Sequence, residues 1–519
     1  MFIFGPLFIF FQQIFILITN PINILIFFGA VLLGIIFGAM PGLTATLGIA
    51  LLATLTYGMD IGTSMVTLLA MYVGAIYGGS YGSILINIPG TAAAAATVLD
   101  GYPLACQGKA GKALGLTTTA SAIGTFIGML FLITITPFIS AFALKFTSFE
   151  FFLLAFFGII ISGALGSTDL AYKGWIAGFL GLFLASVGRD QLQFYPRFTF
   201  GLDELDGGLE VVPVLIGAFG IPQIIQVLKD KVTCGEAKRF QRILPEFTEI
   251  IHHFPLIIRS ALIGVGIGTI PGIGEDIAAW TAYAAAKNSS KHPERFGKGE
   301  IAGVISTETA NNACIGGAII PLLSLGIPGS PPAAMLLGAL MLHGIQPGPM
   351  LNFDHPLFIF QCGAILLLAS FAMWITGMLL CKQVIKVLRI PTPVFMPIVV
   401  VLCVIGSYSL GLGIFNLYLM VPVGILAYFL TEMEYPIAPL VIGVILGPMA
   451  DANLRRALMV SKGSFLPIIT RPVSLILVLV IILTVVNQTK WYKNLIRRIS
   501  EKLFSKKKTK EISSNRFKK

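Results

Sequence analysis

A Pro-Gly dipeptide inside an apolar stretch breaks a helix where lipid can least tolerate it, and this chain carries four in a repeated arrangement. Pro41-Gly42, the pair Gly78-Gly79 and Pro89-Gly90 form one set; Pro271-Gly272, Gly316-Gly317 and Pro328-Gly329 form the second. Proline supplies no amide hydrogen and glycine weakens helices, so each break leaves main-chain groups that hydrocarbon cannot satisfy. Such breaks survive at membrane depth only against protein or a wet cavity. Paired interruptions at matching places in two halves point to a solute site between repeats.

The rest of the chain fits that setting. Of 519 residues 56% are hydrophobic and 11% charged, and mean hydropathy is +0.89, far more apolar surface than one soluble core could hide. Stretches long enough to cross a bilayer, which takes about 20 helical residues, recur from residue 21 to residue 487. The period-2 alternation of a membrane β-barrel is absent. The expected fold is an all-α polytopic membrane protein of about 10–12 transmembrane helices, in two inverted repeats with re-entrant hairpins and broken helices.

The net charge of +11 is local. Residues 490–519 hold 12 Lys or Arg against Glu501 and Glu511, a surplus of 10 that leaves the remaining 489 residues at +1. A basic run directly after the last apolar span reads as a cytoplasmic tail beside anionic lipid. It does not read as a nucleic-acid surface, which needs basic residues on a folded face with aromatic partners. The six cysteines show no paired or metal-like spacing and read as packing residues. The start of the chain lacks a basic n-region and cleavage site, so Met1 to Thr19 reads as a retained apolar segment. The expected organisation is an apolar segment 1–20, a first repeat 21–228, a cytoplasmic linker 229–253, a second repeat 254–488 and a basic tail 489–519.

Charges flanking the breaks set the sense of the repeat. Residues 75–90 align without a gap on 314–329, pairing Gly78 with Gly317, Leu85 with Ser324 and Asn87 with Gly326. After the first break the early half has only Asp60, whereas the late half has Lys287, Lys291, Arg295 and Lys298; after the second break the contrast reverses, Lys109 and Lys112 against Asp354. Lysine and arginine in short loops favour the cytoplasm, so equivalent loops should lie on opposite faces. A duplicated hairpin with merely kinked helices is the bland alternative. Residues 254–286 are too few for two full crossings and a turn, so a re-entrant hairpin with GTIPGIGED at its tip is expected, mirrored by GAMPGLTAT.

Hairpin tips offer helix N-termini to anions and carbonyl ends to cations. The expected solute site is therefore Pro41, Gly42, Thr44, Thr46, Asn87, Pro89, Gly90 and Thr91 with Pro271, Gly272, Gly274, Ser324, Pro328, Gly329 and Ser330. Ionisable groups at membrane depth are functional candidates by default. Glu275 and Asp276, directly after a tip, and Glu308, with Thr307, Asn311 and Asn312 around it, are the expected ligands of a coupling Na⁺ or H⁺. The plainer reading of the adjacent pair Glu275-Asp276 is helix capping. Asp100 reads as a loop or helix-end residue. Glycines such as 34, 38, 78, 79, 82, 316 and 317 suit close helix packing. With no P-loop pattern, an ion gradient must supply the energy. An ion channel, a carrier of another small solute and, more remotely, an intramembrane enzyme are the competing readings; no Ser-His, HExxH or paired-aspartate pattern favours the last.

The stretches GAMPGLTATLGIALLATLTYGMD, YVGAIYGGSYGSILINIPGTAAAAATVLDGYPLACQGKAGKALGL and GTIPGIGEDIAAWTAYAAAKNSSKHPERFGKGEIAGVISTETANNACIGGAIIPLLSLGIPGSPPAAMLLGALMLHGIQPGPM resemble the large permease subunit of tripartite tricarboxylate transporters, the TctA family. The resemblance runs to about residue 490 and leaves out the tail. It implies a permease of the bacterial inner membrane that takes up carboxylates such as citrate, together with a small four-helix membrane subunit and a periplasmic solute-binding protein. It also implies secondary, commonly Na⁺-coupled transport, with no organic cofactor. Analogy with other inverted-hairpin carriers implies an elevator motion.

Overall fold

The computed structural model describes residues 4–165, 171–190, 192–230, 247–388, 390, 394–409 and 413–488. The basic tail, Cys234 and most of the expected linker lie outside them. The described chain is helical, apart from one two-stranded hairpin, β1 (Gly188–Arg189) with β2 (Pro196–Arg197). Among the described residues seven helices have the length and apolar composition to cross a membrane, and eight shorter apolar helices accompany them. The protein is an all-α polytopic membrane protein. Fewer described helices reach that length than the apolar stretches suggest, because the breaks divide part of the chain into half-length pieces such as α3, α5 and α14.

The early half opens with α1 (Phe4–Thr19) and α2 (Pro21–Ala39), and α3 (Ala45–Leu55) follows the first break. Next come α4 (Ile61–Leu85), the second break, α5 (Ala95–Cys106) and the long α6 (Ala110–Ala143). Then α7 (Ser148–Leu165), α8 (Ala171–Leu184) and α9 (Val211–Asp230) close the half. After α10 (Phe247–His252) the order repeats. The helices α11 (Phe254–Gly268) and α12 (Gly274–Ser289) flank the third break; α13 (Ile301–Leu325) and α14 (Pro331–Leu342) flank the fourth. A short α15 (Leu351–Asp354) leads to α16 (Phe358–Leu379) and α17 (Cys381–Leu388). The outer helices α18 (Met396–Ser409), α19 (Ile414–Glu432) and α20 (Ile437–Val460) precede α21 (Leu466–Thr470) and α22 (Pro472–Gln488). The four Pro-Gly breaks of the repeat all fall between helices.

Small residues explain the tightest packing. Gly34 and Gly38 of α2 lie on the main-chain oxygens of Met71 and Ala75 of α4, and Gly264 and Gly268 of α11 lie on those of Ala310 and Cys314 of α13. A β-carbon at any of them would collide with backbone, so the helices approach as only glycine permits. The halves also interlock crosswise. The helix α6 packs along α13 and α16 along α4; α14 packs on α3, and α5 on α12. Outside them α9 packs on α18 and α19, and α20 packs on α7 and α8. Residues buried around α4 and α13 form the core.

Contacts between loops define two ends. The hydroxyl network of α16 on α6, from Ser370 to the oxygen of Ala122 and from Trp374 to Thr119, runs antiparallel. At the α6 N-terminus, Lys112 pairs with Glu249 at 2.8 Å and Gln107 donates to the oxygen of Lys298 at 2.9 Å. At the opposite end His343 lies 3.1 Å from the oxygen of Thr56, next to Asp60. The basic loops 107–112 and 287–298 therefore share the Lys112 end, while 56–60 and 343–357 share the Asp60 end. Outside the membrane-spanning segments, the ammonium of Lys112 holds the Glu249 carboxyl below its usual range, and the Thr63 hydroxyl and amide do the same for Asp60.

Candidate functional site

The third and fourth breaks are stitched to each other by main chain. Gly272 donates its N–H to the oxygen of Pro328 at 3.3 Å, Gly274 to that of Gly329 at 3.2 Å, and Gly329 to that of Ala318 at 3.2 Å. Gly272 and Gly274 have φ of +76° and +84°, a region L side chains rarely adopt, which explains glycine at both. This places Pro271, Gly272, Gly274, Pro328, Gly329 and Ser330 in one buried junction. Ser330 caps α14 by accepting from the amide of Ala333 at 3.3 Å, and its hydroxyl also meets the Tyr72 hydroxyl at 2.7 Å. Tyr72 in turn donates to Glu275 at the start of α12. A tyrosine from the early half thus closes the late half's junction.

The early half is built differently at the same place. Thr44 caps α3 through the amide of Leu47 at 3.2 Å, and Thr46, two residues on in the first turn, is buried. Gly90 presses against the oxygens of Gly38 and Ala39, as Gly329 presses on Gly268. Thr91 occupies the position of Ser330, yet its buried hydroxyl has no partner. Asn87 takes φ +61° where its aligned counterpart Gly326 takes +74°. It is exposed, as is Pro89, so both finish the long helix rather than join the buried cluster. Ser324 returns its hydroxyl to the oxygen of Ile320 in its own helix at 2.7 Å, which spends its donor away from the break.

Glu308 is fully buried where α13, α5 and α6 meet. Thr97 donates to Oε1 at 2.6 Å and Ser121 to Oε2 at 3.1 Å. The Thr307 hydroxyl lies 3.1 Å from that of Thr97, which brings it into the cluster, although helical spacing puts it on an adjoining face. Asn312 donates to Thr125 at 3.1 Å, while its side-chain oxygen and both polar atoms of Asn311 are buried without partners. The carboxylates Glu275 and Asp276 sit in the first turn of α12, the place where they cap free amides. No lysine, arginine or histidine among the described residues pairs with Glu275, Asp276 or Glu308.

The expected ion ligands therefore fall in two neighbouring clusters along α13 and α12. Sequence reasoning missed Tyr72, Thr97, Ser121 and Thr125. Each is a hydroxyl residue in a predominantly apolar helix, a signal present in the sequence but shared with threonines that bond to their own helix, such as Thr309 to Ile305. Asp100 has a different task. Its Oδ1 accepts the amides of Gly297, Gly299 and Glu300, each at 2.8 Å, and Oδ2 accepts from Tyr283 at 3.0 Å, fastening the loop before α13.

Residues 24–442 match the model of the tripartite tricarboxylate transporter TctA family. The chain belongs to the TctA family. Two proteins of Agrobacterium vitis agree. An uncharacterized 52.8 kDa protein in the TAR-I ttuC' 3' region is 36% identical over 457 residues, covering 88% of this chain and 91% of that protein. An uncharacterized protein in the TAR-II ttuC' 3' region is 36% identical over 208 residues, 40% of this chain and 86% of its own length. No solved structure matches. TctA is a family of transporters rather than enzymes, and the broken helices are the part of this member where main chain and carboxylates meet inside the core.

Proposed function

We propose that the protein carries organic carboxylates of the citrate-like, tricarboxylate class across the bacterial inner membrane, by secondary active uptake coupled to Na⁺ or H⁺. One observation carries this reading: three carboxylates stand at or near the breaks, Glu275 and Glu308 deeply buried, with hydroxyl and amide neighbours and no basic partner. A buried carboxylate is costly unless a cation or proton neutralises it. Glu308 with Thr97, Ser121 and Thr307 would supply hard oxygens to Na⁺, or hold a proton at a carboxyl oxygen. The substrate anion would then be met by first-turn amides of α3, the unpaired Thr91 hydroxyl and the Asn311 amide. Weak neutral donors beside a co-bound cation suit a carrier, which must release what it binds.

Opposite placement of equivalent loops, with the basic ones together, supports the inverted-repeat reading with the Lys112 end in the cytoplasm. Under that reading hairpins α2–α3 and α11–α12 enter from opposite faces and move with their cargo against the outer helices, as an elevator. The family's three-part organisation supports a small four-helix membrane subunit and a periplasmic binding protein as partners, with lipid around the spans and the tail in the cytoplasm. The test is reconstituted uptake of labelled citrate with the binding protein, with and without a sodium or proton gradient. Saturable uptake with counter-exchange supports the carrier; large currents without exchange would make it a channel, and gradient-independent uptake would sink the coupling.

A further inference from the structure

The core meets the outer helices unequally in the two halves. Along α3, Leu47, Ala50, Leu51 and Thr54 are all buried, Leu47 against Gly220 of α9 and Thr54 against Gly406 of α18. Superposing Pro41-Gly42 on Pro271-Gly272 makes their equivalents on α12 Ile277, Trp280, Thr281 and Ala284. Trp280 is 43% exposed, Thr281 and Ala284 are exposed and Ile277 is half-buried. The half-helices repeat this contrast. Gly338 of α14 is buried against Val211, Val212 and Leu215 of α9, whereas its equivalent on α5, Leu99, is 37% exposed. Where α3 and α14 pack on α9 and α18, no comparable packing joins α12 and α5 to α20 and α7.

The outer helices carry a register that turns this contrast into a displacement. Pro213, Ile216, Gly217 and Pro222 of α9 recur with identical spacing as Pro439, Ile442, Gly443 and Pro448 of α20, and both glycines lie on a main-chain oxygen, of Met420 and of Gly178. The tip residue Gly42 rests on Gln223 and Val227 of α9. Its counterpart Gly272 rests on Ser162 and on Ile442, the equivalent of Ile216. The two tips therefore stand 7 to 11 residues apart in the common register, about 10–16 Å at 1.5 Å per residue. Because α9 runs towards the Lys112 end and α20 away from it, both offsets have one sense. The core is shifted towards the Lys112 end.

We infer that the free face of α12 and α5 is a docking surface for α20 and α7 of this same chain, occupied in a second arrangement reached by sliding the core about 10–16 Å towards the Asp60 end. This rests on the carrier reading above and adds to it which arrangement the structure holds and what the other one touches. Exchanging the halves gives the contacts. Leu99 packs on Ile437, Ala438 and Val441, Gly272 moves to Met449 and Asn453, and Gly42 moves to Ile216. Apolar surface uncovered on α3 and α14 is matched by that covered on α12 and α5, so the two arrangements lie close in energy, as a two-state element requires. In the present arrangement the crevice beside α12 and α5 opens at the Lys112 end.

Two cysteine pairs test this in the full chain with its native cysteines replaced, in native membranes, using a short oxidative cross-linker. Gly338→Cys with Val212→Cys reports the present arrangement, and Leu99→Cys with Ala438→Cys reports the inferred one. Both pairs should cross-link within one chain, and each bridge should cut uptake at least tenfold until it is reduced. As a second readout, Trp280→Cys should label with maleimide severalfold faster when the 338–212 bridge is in place than when the 99–438 bridge is. If 99–438 never bridges while 338–212 does, or if Trp280→Cys labels equally with either bridge, the inference fails. Cross-linking of Leu99→Cys to a different polypeptide would also overturn it, by giving the face to a partner subunit. Counter-exchange by the uncross-linked parent tests the carrier reading separately, because bridge formation needs no substrate.

Discussion

Thr97 and Glu308 lie 211 positions apart in the chain, yet the threonine hydroxyl donates to the carboxylate at 2.6 Å inside the core. This bond fastens α5, which follows the second break, to α13, which precedes the fourth, and so ties the two halves at a fully buried carboxylate.

Glu308→Gln keeps the shape and removes the charge. If Glu308 holds the coupling ion, uptake should lose most of its dependence on the Na⁺ or H⁺ gradient and fall at least tenfold under a full gradient. Uptake measured against gradient size in reconstituted vesicles checks it; an unchanged rate and dependence discard the assignment.

Thr97→Val and Ser121→Ala each remove one donor to that carboxylate. A hydrogen bond to a charged group contributes about 1.5–3 kcal/mol and steadies the charged, ion-free carboxylate, so if the coupling ion is H⁺ its apparent affinity should rise roughly ten- to hundredfold in each, whereas if it is Na⁺, which would use the same hydroxyl oxygens as ligands, its apparent affinity should fall. Substrate affinity at saturating ion should change much less. The measurement is uptake as a function of ion concentration.

Gly272→Leu and Gly42→Leu should abolish uptake while membrane insertion persists. Both glycines have positive φ, +76° and +88°, and a side chain would run into Ser162 and Ile442 in one case and Val227 in the other. Protein level in the membrane fraction separates lost transport from lost folding, and normal uptake would overturn the role of the tips.

Asp100 should matter for stability before it matters for transport. Asp100→Ala leaves three amides of the 297–300 loop without their acceptor, each costing about 1–3 kcal/mol when buried, so detergent-solubilised protein should lose its fold at a clearly lower temperature. Asp100→Asn retains an acceptor oxygen and should recover much of the loss. Equal melting of the alanine variant and the parent would refute the clamp.

Much of this was legible in the residues themselves. Proline without an amide hydrogen and glycine without a β-carbon act locally, so the four helix breaks, the positions of the long helices and the membrane setting follow from sequence, as do the charge contrasts between equivalent loops. The same holds for Glu275, Asp276 and Glu308, because a carboxylate among apolar neighbours is conspicuous wherever it sits. The repeated Pro-x-x-Ile-Gly of α9 and α20 was equally present, and its meaning lay in what it touches.

Tertiary structure decided the rest. Which hydroxyls serve Glu308 depends on helices 187 and 211 residues away in the chain, and nothing local separates Thr97 and Ser121 from threonines bonded to their own helix. That Tyr72 reaches Glu275, that Asp100 holds a loop, and that α3 is covered while α12 is open are all facts of long-range packing. Sequence names the groups that cannot rest comfortably in lipid; only the assembled fold determines which neighbour relieves each of them, because that relief is a matter of ångströms between segments the chain order keeps far apart.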